Sequence, residues 1–434
     1  MKTKKVLFVT DASCPNLTMN GIVIKNLIDC LSEDYKISII SLKQRYNDTS
    51  DYKDIKIKYV KPLSYLIYSL REKRLQARSQ VMSSVYGFTI LFIRIFSISQ
   101  RILSKTGLHD PLVNDLKKAI DVSLNAEYEY VVLIGKPFEA FAAALPLIKK
   151  YRKVKFIAYQ VDNFVTGEDI NYPKILLGNR NRARVRMLNN CSKHFWRYFM
   201  TESVYSKEKS YLQNKKSIKI IGLPLIKNQR KNVQPPNNNN KCGNVKLVYA
   251  GSLLRGFRPP EDCLDILIEL AQMIDMHIDF YQRGDCDDIL NTYSGKSNGA
   301  VINHGTVSSD KAYEAVNSAD VLIAISNFAG DQISGKTFDC ISTGKPVIFF
   351  YYQEEDYNLE FFQKYQLGLC IKMSPQKVMS NAETICKFII DNRNHIVSYD
   401  EIEKEFWNYT PQYIANKIFQ ETAKKQNKLK IIKE

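Results

Sequence analysis

The sequence has few residues of the kinds that bind metals or cross-link a chain. Its 434 residues include five His and nine Cys, with no C-x-x-C pair and no H-E-x-x-H motif. The odd number and irregular spacing of the Cys favour reduced thiols over a disulfide framework. We therefore expect no structural disulfides and no metal ion held by the protein.

Two common nucleotide-binding motifs are also absent. The chain has no G-x-x-x-x-G-K-[ST] loop, and no G-x-G-x-x-G follows its first apolar run. Both motifs bind phosphates through glycine-rich turns at the start of a helix, so their absence argues against P-loop and NAD chemistry. We expect no bound cofactor.

Signals for export or membrane insertion are weak. The chain begins MKTKKVLFVTDAS, in which the apolar run is too short for a signal peptide. The most apolar stretch, 85–96 (VYGFTILFIRIF), is interrupted by Arg94. It is short of the roughly 20 apolar residues that a bilayer-spanning helix needs. We expect a cytoplasmic protein.

The sequence does contain a regular alternation of strand and helix patterns, in two halves. This alternation predicts an α/β fold in which helices cover parallel sheets. The Pro- and Asn-rich segment 227–244 separates the halves and predicts a linker. The predicted strands are Val6–Thr10, Lys36–Ser41, Ile55–Val60, Tyr130–Ile134, Lys155–Gln160, Arg197–Thr201, Val245–Ala250, His277–Tyr281, Ala300–His304, Val321–Ile325, Val347–Tyr351 and Leu369–Ile371.

The segment 331–348, DQISGKTFDCISTGKPVI, carries the clearest chemical signal. It predicts a short helix over 336–342, followed by a buried strand. A helix start favours phosphate because it presents backbone N–H groups and positive dipole charge. Lys336 adds a cation there, and Asp339, one turn later, can accept hydrogen bonds from two hydroxyls. A phosphate beside a vicinal diol is the outline of a nucleotide sugar.

These residues resemble the nucleotide-sugar signature of GT-B glycosyltransferases, particularly the large group 1 retaining family. Asp331, seven intervening residues, Asp339 and then Gly344 match the spacing of that family's two acids and glycine. The run 334–339, SGKTFD, resembles the family's P-S-K-x-F-E/D loop. It departs from the pattern in having Gly335 where Ser is usual and Asp where Glu is common.

The resemblance implies roles for the residues of this loop. Asp331 would contact the donor sugar, Asp339 the ribose, and Lys336 the leaving diphosphate. Three neighbouring positions would also line the donor site: Ser334, Gly335 and Thr337.

The resemblance also implies an architecture of two Rossmann-like, doubly wound parallel-sheet domains facing each other across a cleft (GT-B). Residues 1–226 would form the acceptor-side domain, and residues 245–399 would bind the nucleotide sugar. The helix-like segment 400–434, which ends in a Lys-rich tail, would pack back on the first domain.

The turn that begins at Gly251 and Ser252 resembles a second donor-binding segment of the family. A glycine there lets the backbone approach the diphosphate, and an arginine can pair with two phosphate oxygens. Arg255 and Arg258 are both candidates, and the sequence does not choose between them. With Lys336, Arg255 is expected to hold the leaving diphosphate.

Further along, Gly305 and Val307 resemble the family's G-x-V step and would border the nucleotide base. The D-x-D triplet 285–287 follows a predicted strand and could indicate a manganese-type site. It lies in the second half, whereas metal-dependent GT-A enzymes carry such a triplet in an N-terminal nucleotide domain. We interpret it as turn and helix-start acids.

The first domain is expected to bind the acceptor. Gly21 lies where GT-B enzymes bring a helix start towards the donor phosphates. Asp162 follows a predicted strand and would face the cleft from the carboxyl edge of the sheet, where open α/β sheets bind ligands. It is the candidate acceptor-contacting acid, although a turn or capping role is equally compatible with its position. Lys136 and Glu139 are weaker candidates.

The chain is strongly basic, with a formal net charge of +17. Between Lys61 and Lys105 it has eight basic residues and one acid, around the apolar stretch 85–96. This pattern suits a helix lying on an anionic membrane surface. An amphipathic core helix with solvated charges remains open. Nucleic acid is not expected as a partner, because no recognised nucleic-acid motif accompanies the charge.

The sequence thus predicts a glycosyltransferase that moves a sugar from a nucleotide-diphosphate sugar to a hydroxyl acceptor without a metal. The acceptor is expected to be a lipid-linked or cell-surface glycan precursor. The enzyme would sit peripherally on the inner face of the cytoplasmic membrane. The alternative is a membrane-docked protein of the same fold that binds nucleotide sugar without catalysis.

Overall fold

The computed structural model describes residues 4–11, 19–31, 34–44, 51–53, 55–77, 79–167, 173–228 and 244–419. Most of the predicted linker (229–243) and the Lys-rich tail (420–434) lie outside these ranges. The chain divides into two compact units. The first contains Met1–Pro224 and Pro411–Glu434, and the second contains Leu225–Thr410.

The first unit is built on one sheet. Its strands are β1 (Lys4–Thr10), β2 (Tyr35–Leu42), β3 (Asp51–Tyr52), β4 (Ile55–Val60), β5 (Tyr128–Ile134), β6 (Lys155–Gln160), β7 (Arg197–Met200) and β8 (Ile218–Ile220). Its helices up to β8 are α1 (Met19–Leu31), α2 (Leu63–Leu75), α3 (Gln80–Leu103), α4 (Asp110–Ser123), α5 (Glu139–Lys150), α6 (Leu177–His194) and α7 (Glu202–Glu208).

The order of the strands in this sheet is β3-β4-β2-β1-β5-β6-β7-β8, and all neighbours are parallel except β3 and β4. From β1 the chain adds β2, β3 and β4 on one side of this strand, and it then adds β5 to β8 on the opposite side. Right-handed crossovers in opposite directions place helices on both faces of the sheet. The central strands are short and apolar because both of their faces are buried, as in residues 130–134.

The second unit has the sheet order β11-β10-β9-β12-β13-β14, with all neighbours parallel. Its strands are β9 (Val245–Leu253), β10 (Met276–Gly284), β11 (Val301–Asn303), β12 (Val321–Ile325), β13 (Val347–Tyr351) and β14 (Gly368–Lys372). Its helices are α8 (Glu261–Met273), α9 (Asp287–Lys296), α10 (Ser309–Ser318), α11 (Gly335–Ser342), α12 (Leu359–Lys364), α13 (Val378–Asn392) and α14 (Tyr399–Glu405).

The last described helix, α15 (Pro411–Phe419), belongs to the first unit. Its Ile414 and Ile418 side chains are fully buried. The ring of Phe419 meets the ring of Tyr130 edge-on, with centroids 5.2 Å apart, and lies 6.5 Å from that of Phe8. Burying side chains of this size stabilises a fold by about 1.5–3 kcal/mol each, so α15 is an integral part of this unit.

The fold class predicted from the sequence is confirmed. Each of the twelve predicted strands corresponds to a strand of the structure, with ends that differ by at most a few residues. In both units the chain leaves a central strand in two directions, so each sheet is doubly wound. In both sheets the change of direction lies next to a central strand, between β1 and β5 and between β9 and β12. Ligands of such sheets bind at the carboxyl ends of the strands beside this point.

Candidate functional site

The segment after β12 turns tightly into α11. The hydroxyl of Ser334 accepts a hydrogen bond from the backbone N–H of Lys336 at 3.3 Å. A Ser here satisfies one of the N–H groups of the first helical turn. The helix ends at Ser342, and Gly344 follows with a φ of 72°, which glycine adopts without strain. The short helix expected from 331–348 is therefore present.

A buried polar network holds the start of α11. The side-chain oxygen of Asn358 accepts hydrogen bonds from the Ser334 backbone N–H and the Thr337 hydroxyl, both at 2.8 Å. Asn358 also donates to Asp356 at 2.8 Å, and Asp356 accepts from Ser326 at the end of β12. Because Asn358 and Asp356 are buried, these bonds are strong and fix the corner. The hydroxyl of Thr337, a predicted donor contact, therefore bonds to Asn358.

Lys336 and Asp339 form an ion pair on α11. The Lys336 Nζ lies 3.2 Å from an Asp339 carboxylate oxygen, and the two side chains are 52% and 35% exposed. Desolvation lowers the pKa of Lys336, but the neighbouring Asp339 and Cys340 raise it more, so its net pKa is raised. Lys336 is thus a cation at neutral pH. Exposed ion pairs contribute little to stability, so this pair can separate for a ligand at small cost.

Arg258, in the turn after β9, is a second cation whose charge acts on Lys336. Its charge lies close enough to Lys336 to lower the pKa of that lysine. The Arg258 Nη1 donates to the Ser252 carbonyl at 3.1 Å, and its buried Nε has no hydrogen-bond partner among the described residues. Two like charges on separate segments repel each other. A bound anion would remove that repulsion and accept the unused N–H.

Gly251 lies within β9, against the buried ring of Tyr249. A Cβ at Gly251 would lie 2.8 Å from the Tyr249 hydroxyl oxygen, which is closer than Cβ atoms approach oxygens. That hydroxyl donates to the Ser252 carbonyl at 2.9 Å, and burial raises the pKa of Tyr249 to about 12. The glycine therefore lets β9 pass close over the Tyr249 hydroxyl before the turn that carries Arg258.

Arg255 is held by acids at the start of α9. It forms an ion pair with Asp288 in the first turn of α9, and its backbone N–H and Nε donate to Asp285 at 2.9 and 3.0 Å. The sequence left both arginines as candidates and expected Arg255 to hold the diphosphate with Lys336; in the structure the charge of Arg258 acts on Lys336, whereas the guanidinium of Arg255 is held by the α9 acids. Asp287 also lies in the first turn of α9, so the D-x-D acids are turn and helix-start residues.

The remaining predicted donor residues follow strands of the same sheet. Gly305 comes after β11 with a φ of 62°, and its N–H donates to the Asn303 side chain at 3.0 Å. Val307 lies half-buried in the loop before α10. Asp331 is exposed in the corner before α11 and accepts a long hydrogen bond from Asn327 at 3.4 Å. All three lie at carboxyl ends of strands, where sheets of this class bind ligands.

In the first unit, charged residues meet at the carboxyl ends of β1, β5 and β6. The Asp11 backbone N–H donates to the Lys136 carbonyl at 2.7 Å, and Asn20 donates to the Asp11 carboxylate at 3.0 Å. Burial raises the pKa of Asp11 to about 6; the bond from Asn20 opposes this shift, and the charge of Asp162 adds to it. Asp162, the predicted acceptor acid, thus lies near Asp11, which sequence analysis missed.

Gly21 lies buried in the first turn of α1, next to Asn20. Residues 12–18, most of the loop that precedes it, are outside the described ranges. The sequence marks Asp11 only as an acid that directly follows a central buried strand. Because Asp11 belongs to no motif, this position alone did not identify it as a site residue.

The basic and apolar segment 61–105 forms α2 and α3, which pack on each other. Helix α3 has 24 residues and is therefore about 36 Å long. Among the described helices it alone is long and apolar enough to cross a membrane by length and composition; its mean hydropathy reaches 1.7, and only 6% of that stretch is buried. This corrects the expectation of an apolar segment too short to span. It also shows that 85–96 is not a core helix.

The two faces of α3 differ. An outer stripe of exposed apolar side chains follows helical spacing: Val81, Val85, Phe88, Phe92 and Ile95. The nearly opposite face, with Arg94, Ile98 and Arg101, lines a cavity of about 640 Å³ within the first unit.

No protein-family model matches the chain, and a search of curated proteins also finds no match. Solved structures do match. WaaG, a glycosyltransferase involved in lipopolysaccharide biosynthesis, has a TM-score of 0.58 at 12% identity over 96% of this chain and 100% of WaaG. Anabaena HepE in complex with UDP and glucose has a TM-score of 0.52 at 13% identity over 99% and 100% of the two chains.

A third solved structure is UDP-GlcNAc 2-epimerase from Neisseria meningitidis bound to UDP-GlcNAc. Its TM-score is 0.53 at 11% identity, over 95% of this chain and 98% of the epimerase. At these identities the likeness establishes the fold, which is that of GT-B glycosyltransferases. Proteins of this fold include a transferase and an epimerase, so the reaction has to be argued from the site.

Proposed function

We propose that the protein is a glycosyltransferase that uses a nucleotide-diphosphate sugar as donor. The observation that carries this proposal is the Ser334-capped start of α11, where Lys336 is a cation and the charge of Arg258 acts on it. Two cations, an unused guanidinium N–H and a helix start together suit a diphosphate. Asp339, whose carboxylate lies 3.2 Å from the Lys336 ammonium, supplies an acceptor for ribose hydroxyls.

In the proposed reaction, the bond between the anomeric carbon and the diphosphate oxygen breaks. The diphosphate leaves with the electron pair, and the acceptor oxygen bonds to the anomeric carbon and loses its proton. Lys336 and Arg258 stabilise the charge on the departing diphosphate, the kind of interaction that contributes most to such catalysis. Because these cations and the helix dipole supply the positive charge, the proposed reaction needs no metal.

The remaining donor contacts follow the resemblance. Asp331 contacts the donor sugar, and Gly305 with Val307 borders the base. On the acceptor side, Asp162 remains the proposed contact, and its neighbour Asp11 joins it because the two carboxylates interact electrostatically.

We also propose that the acceptor is a lipid-linked or cell-surface glycan precursor, used at the inner face of the cytoplasmic membrane. The support is the exposed apolar stripe of α3 beside the exposed cations Arg71, Lys73 and Arg74 of α2. Anionic lipid complements this surface in both charge and polarity. A peripheral placement is favoured because the opposite face of α3, with Arg94 and Arg101, lines a cavity of the protein itself.

The proposal is tested by a thermal-shift screen of the full chain against UDP-, GDP-, ADP- and CMP-sugars. A ligand at about 100 times its Kd stabilises the folded state by about 2.7 kcal/mol, so the correct donor should stand out from the others. The products made from that donor then separate the possible activities. Transfer or slow hydrolysis supports the proposal, an epimerised nucleotide sugar indicates the reaction of the epimerase neighbour, and no turnover indicates a binding protein.

A further inference from the structure

The cavity of about 640 Å³ in the first unit lies between helices α2 and α3 and the carboxyl ends of the central strands. Basic side chains outnumber acidic ones in its wall. The basic ones are Arg71, Arg94, Arg101, Lys136 and Arg184, and the acidic ones are Asp11 and Glu139. Arg184 donates to the Phe164 carbonyl at 3.0 Å, so it also serves the fold.

His109, another wall residue, is buried and only 5% exposed. Its Nδ1 accepts a hydrogen bond from the backbone N–H of Leu112 at 3.3 Å, which caps the start of α4. A ring nitrogen that accepts a hydrogen bond carries no proton. The proton of the neutral ring must therefore be on Nε2, and burial, which lowers the pKa of His109, keeps the ring neutral.

The Nε2–H of His109 is a buried donor with no hydrogen-bond partner in the described part of the chain. A buried donor without an acceptor is destabilising, so native structures rarely retain one without a reason. The neighbouring cations of the wall are also donors and not acceptors. A ligand with negative charge and several acceptor oxygens would satisfy His109 Nε2 and the surplus of cations over the two wall carboxylates.

We propose that this cavity binds the phosphate or diphosphate group of the acceptor. Phosphate oxygens accept hydrogen bonds from guanidinium groups in a bidentate manner and from a neutral imidazole N–H. The identification of the ligand as the acceptor rests on the proposed glycosyltransferase function. The anion site itself does not, because it lies wholly in the first unit and the donor residues lie in the second.

The cavity wall also has an apolar side. Leu63 and Ile67 of α2 and Ile98 of α3 line it, and the outer face of α3 is apolar and exposed. A phosphate that is attached to a lipid chain would place apolar groups against these residues. A phosphorylated soluble glycan would not use them.

The test is a titration of the full chain with inorganic diphosphate, by calorimetry, in the Lys336→Ala background. That background removes a cation proposed to bind diphosphate in the second unit. Arg101→Gln and His109→Asn should each weaken the remaining binding at least about 10-fold, since each removes one charge-assisted hydrogen bond. Asn can still cap α4 through its side-chain oxygen, but it is too short to replace Nε2. Lys118→Gln, an exposed change on α4, is the matched control.

Diphosphate binding that is lost in both cavity variants and retained in Lys118→Gln supports the anion site. An absence of binding in the Lys336→Ala background, or equal binding in every variant, overturns it. Neither result bears on donor binding, which is measured separately with nucleotide sugars. A parallel titration with farnesyl diphosphate identifies the source: tighter binding than inorganic diphosphate assigns the group to a lipid, and equal binding assigns it to a soluble acceptor.

Discussion

Lys336 is the side chain of the donor loop whose loss we expect to be most damaging. Its ammonium group lies 3.2 Å from the Asp339 carboxylate and keeps its charge. Lys336→Ala should lower kcat/KM by roughly 10², the scale of losing one preorganised group that stabilises a leaving charge. Steady-state kinetics with the donor found by thermal shift measure this effect.

Lys387→Ala is the matched control for this substitution. Lys387 is exposed on α13, in the same unit as Lys336. Its removal should leave kcat/KM unchanged. If Lys336→Ala folds normally and keeps wild-type kinetics, Lys336 does not act on the diphosphate.

Replacing Asp339 should affect the binding of nucleoside diphosphate and of inorganic diphosphate differently. Asp339→Ala removes the proposed ribose contact and also releases Lys336 from its ion pair. Nucleoside diphosphate should therefore bind about 10-fold more weakly, the loss of a hydrogen bond to a charged group. Inorganic diphosphate should bind at least as well as before. Calorimetric titration of both ligands tests this, and an equal loss for both would indicate a structural role for Asp339.

The raised pKa of Asp11 predicts how the stability of the fold depends on pH. Its pKa is raised to about 6 in the folded protein, so the folded state binds this proton more tightly than the unfolded state does. Asp11 therefore stabilises the fold at low pH, and this contribution is lost as pH rises from about 4 to about 6. Asp11→Asn should match the wild type near pH 4 and be more stable at pH 8, by up to about 3 kcal/mol.

Thermal unfolding at a series of pH values measures this difference. Asp34→Asn, at an exposed position of the same unit, is the matched control. An Asp11→Asn variant that is less stable than the wild type at pH 8 would show that the ionised carboxylate is favoured in the fold.

The strands and helices differ in how far the sequence predicts them. The central strands are buried apolar runs, and every predicted strand is found, because burial on both faces leaves a strong signal. The missed strands, β3 and β8, have two and three residues and lie at the ends of the first sheet. Half-exposed edge strands of this length have no pattern to detect.

The candidate site could be predicted only where its residues are contiguous. The α11 loop combines a cap, a cation and an acid within six residues, so its outline is visible in the sequence. The choice of Arg258 over Arg255 depends on which residue the α9 acids hold. The support from Asn358, 24 residues after Ser334, depends on the folding of the chain between them.

Helices α2 and α3 make the prediction that concerns the membrane. Replacing Arg71, Lys73 and Arg74 with Gln should release the protein from anionic liposomes, since each cation near such a surface contributes about 1 kcal/mol. Binding of the wild type should weaken as salt rises, because screening shortens the Debye length below about 8 Å. Liposome flotation at several salt concentrations measures both effects.

The matched control removes three exposed cations elsewhere in the first unit: Lys149, Arg152 and Lys153 to Gln. That variant should bind liposomes like the wild type.

Alkaline carbonate should extract the protein from the vesicles if α3 lies on the surface. Resistance to extraction would instead show that α3, long enough at about 36 Å, crosses the bilayer. If the wild type does not bind anionic liposomes at low salt, a soluble acceptor is favoured over a lipid-linked one.

The whole chain combines two doubly wound units whose fold is shared with transferases and epimerases. At 11–13% identity, similarity of fold does not establish which reaction this chain catalyses. What distinguishes a transferase from a binding protein of the same fold is cleavage of the donor. The sites proposed here assign that cleavage to Lys336 and Arg258.

The most direct measurement is the release of nucleoside diphosphate by the purified full chain. It uses the nucleotide sugar that gives the largest thermal shift, with the Lys336→Ala variant beside the wild type. We expect the wild type to release nucleoside diphosphate and free or transferred sugar in equal amounts, and the variant to do so at least about 10²-fold more slowly. A wild type that binds the donor tightly and releases nothing, with anionic vesicles present or absent, would contradict this expectation.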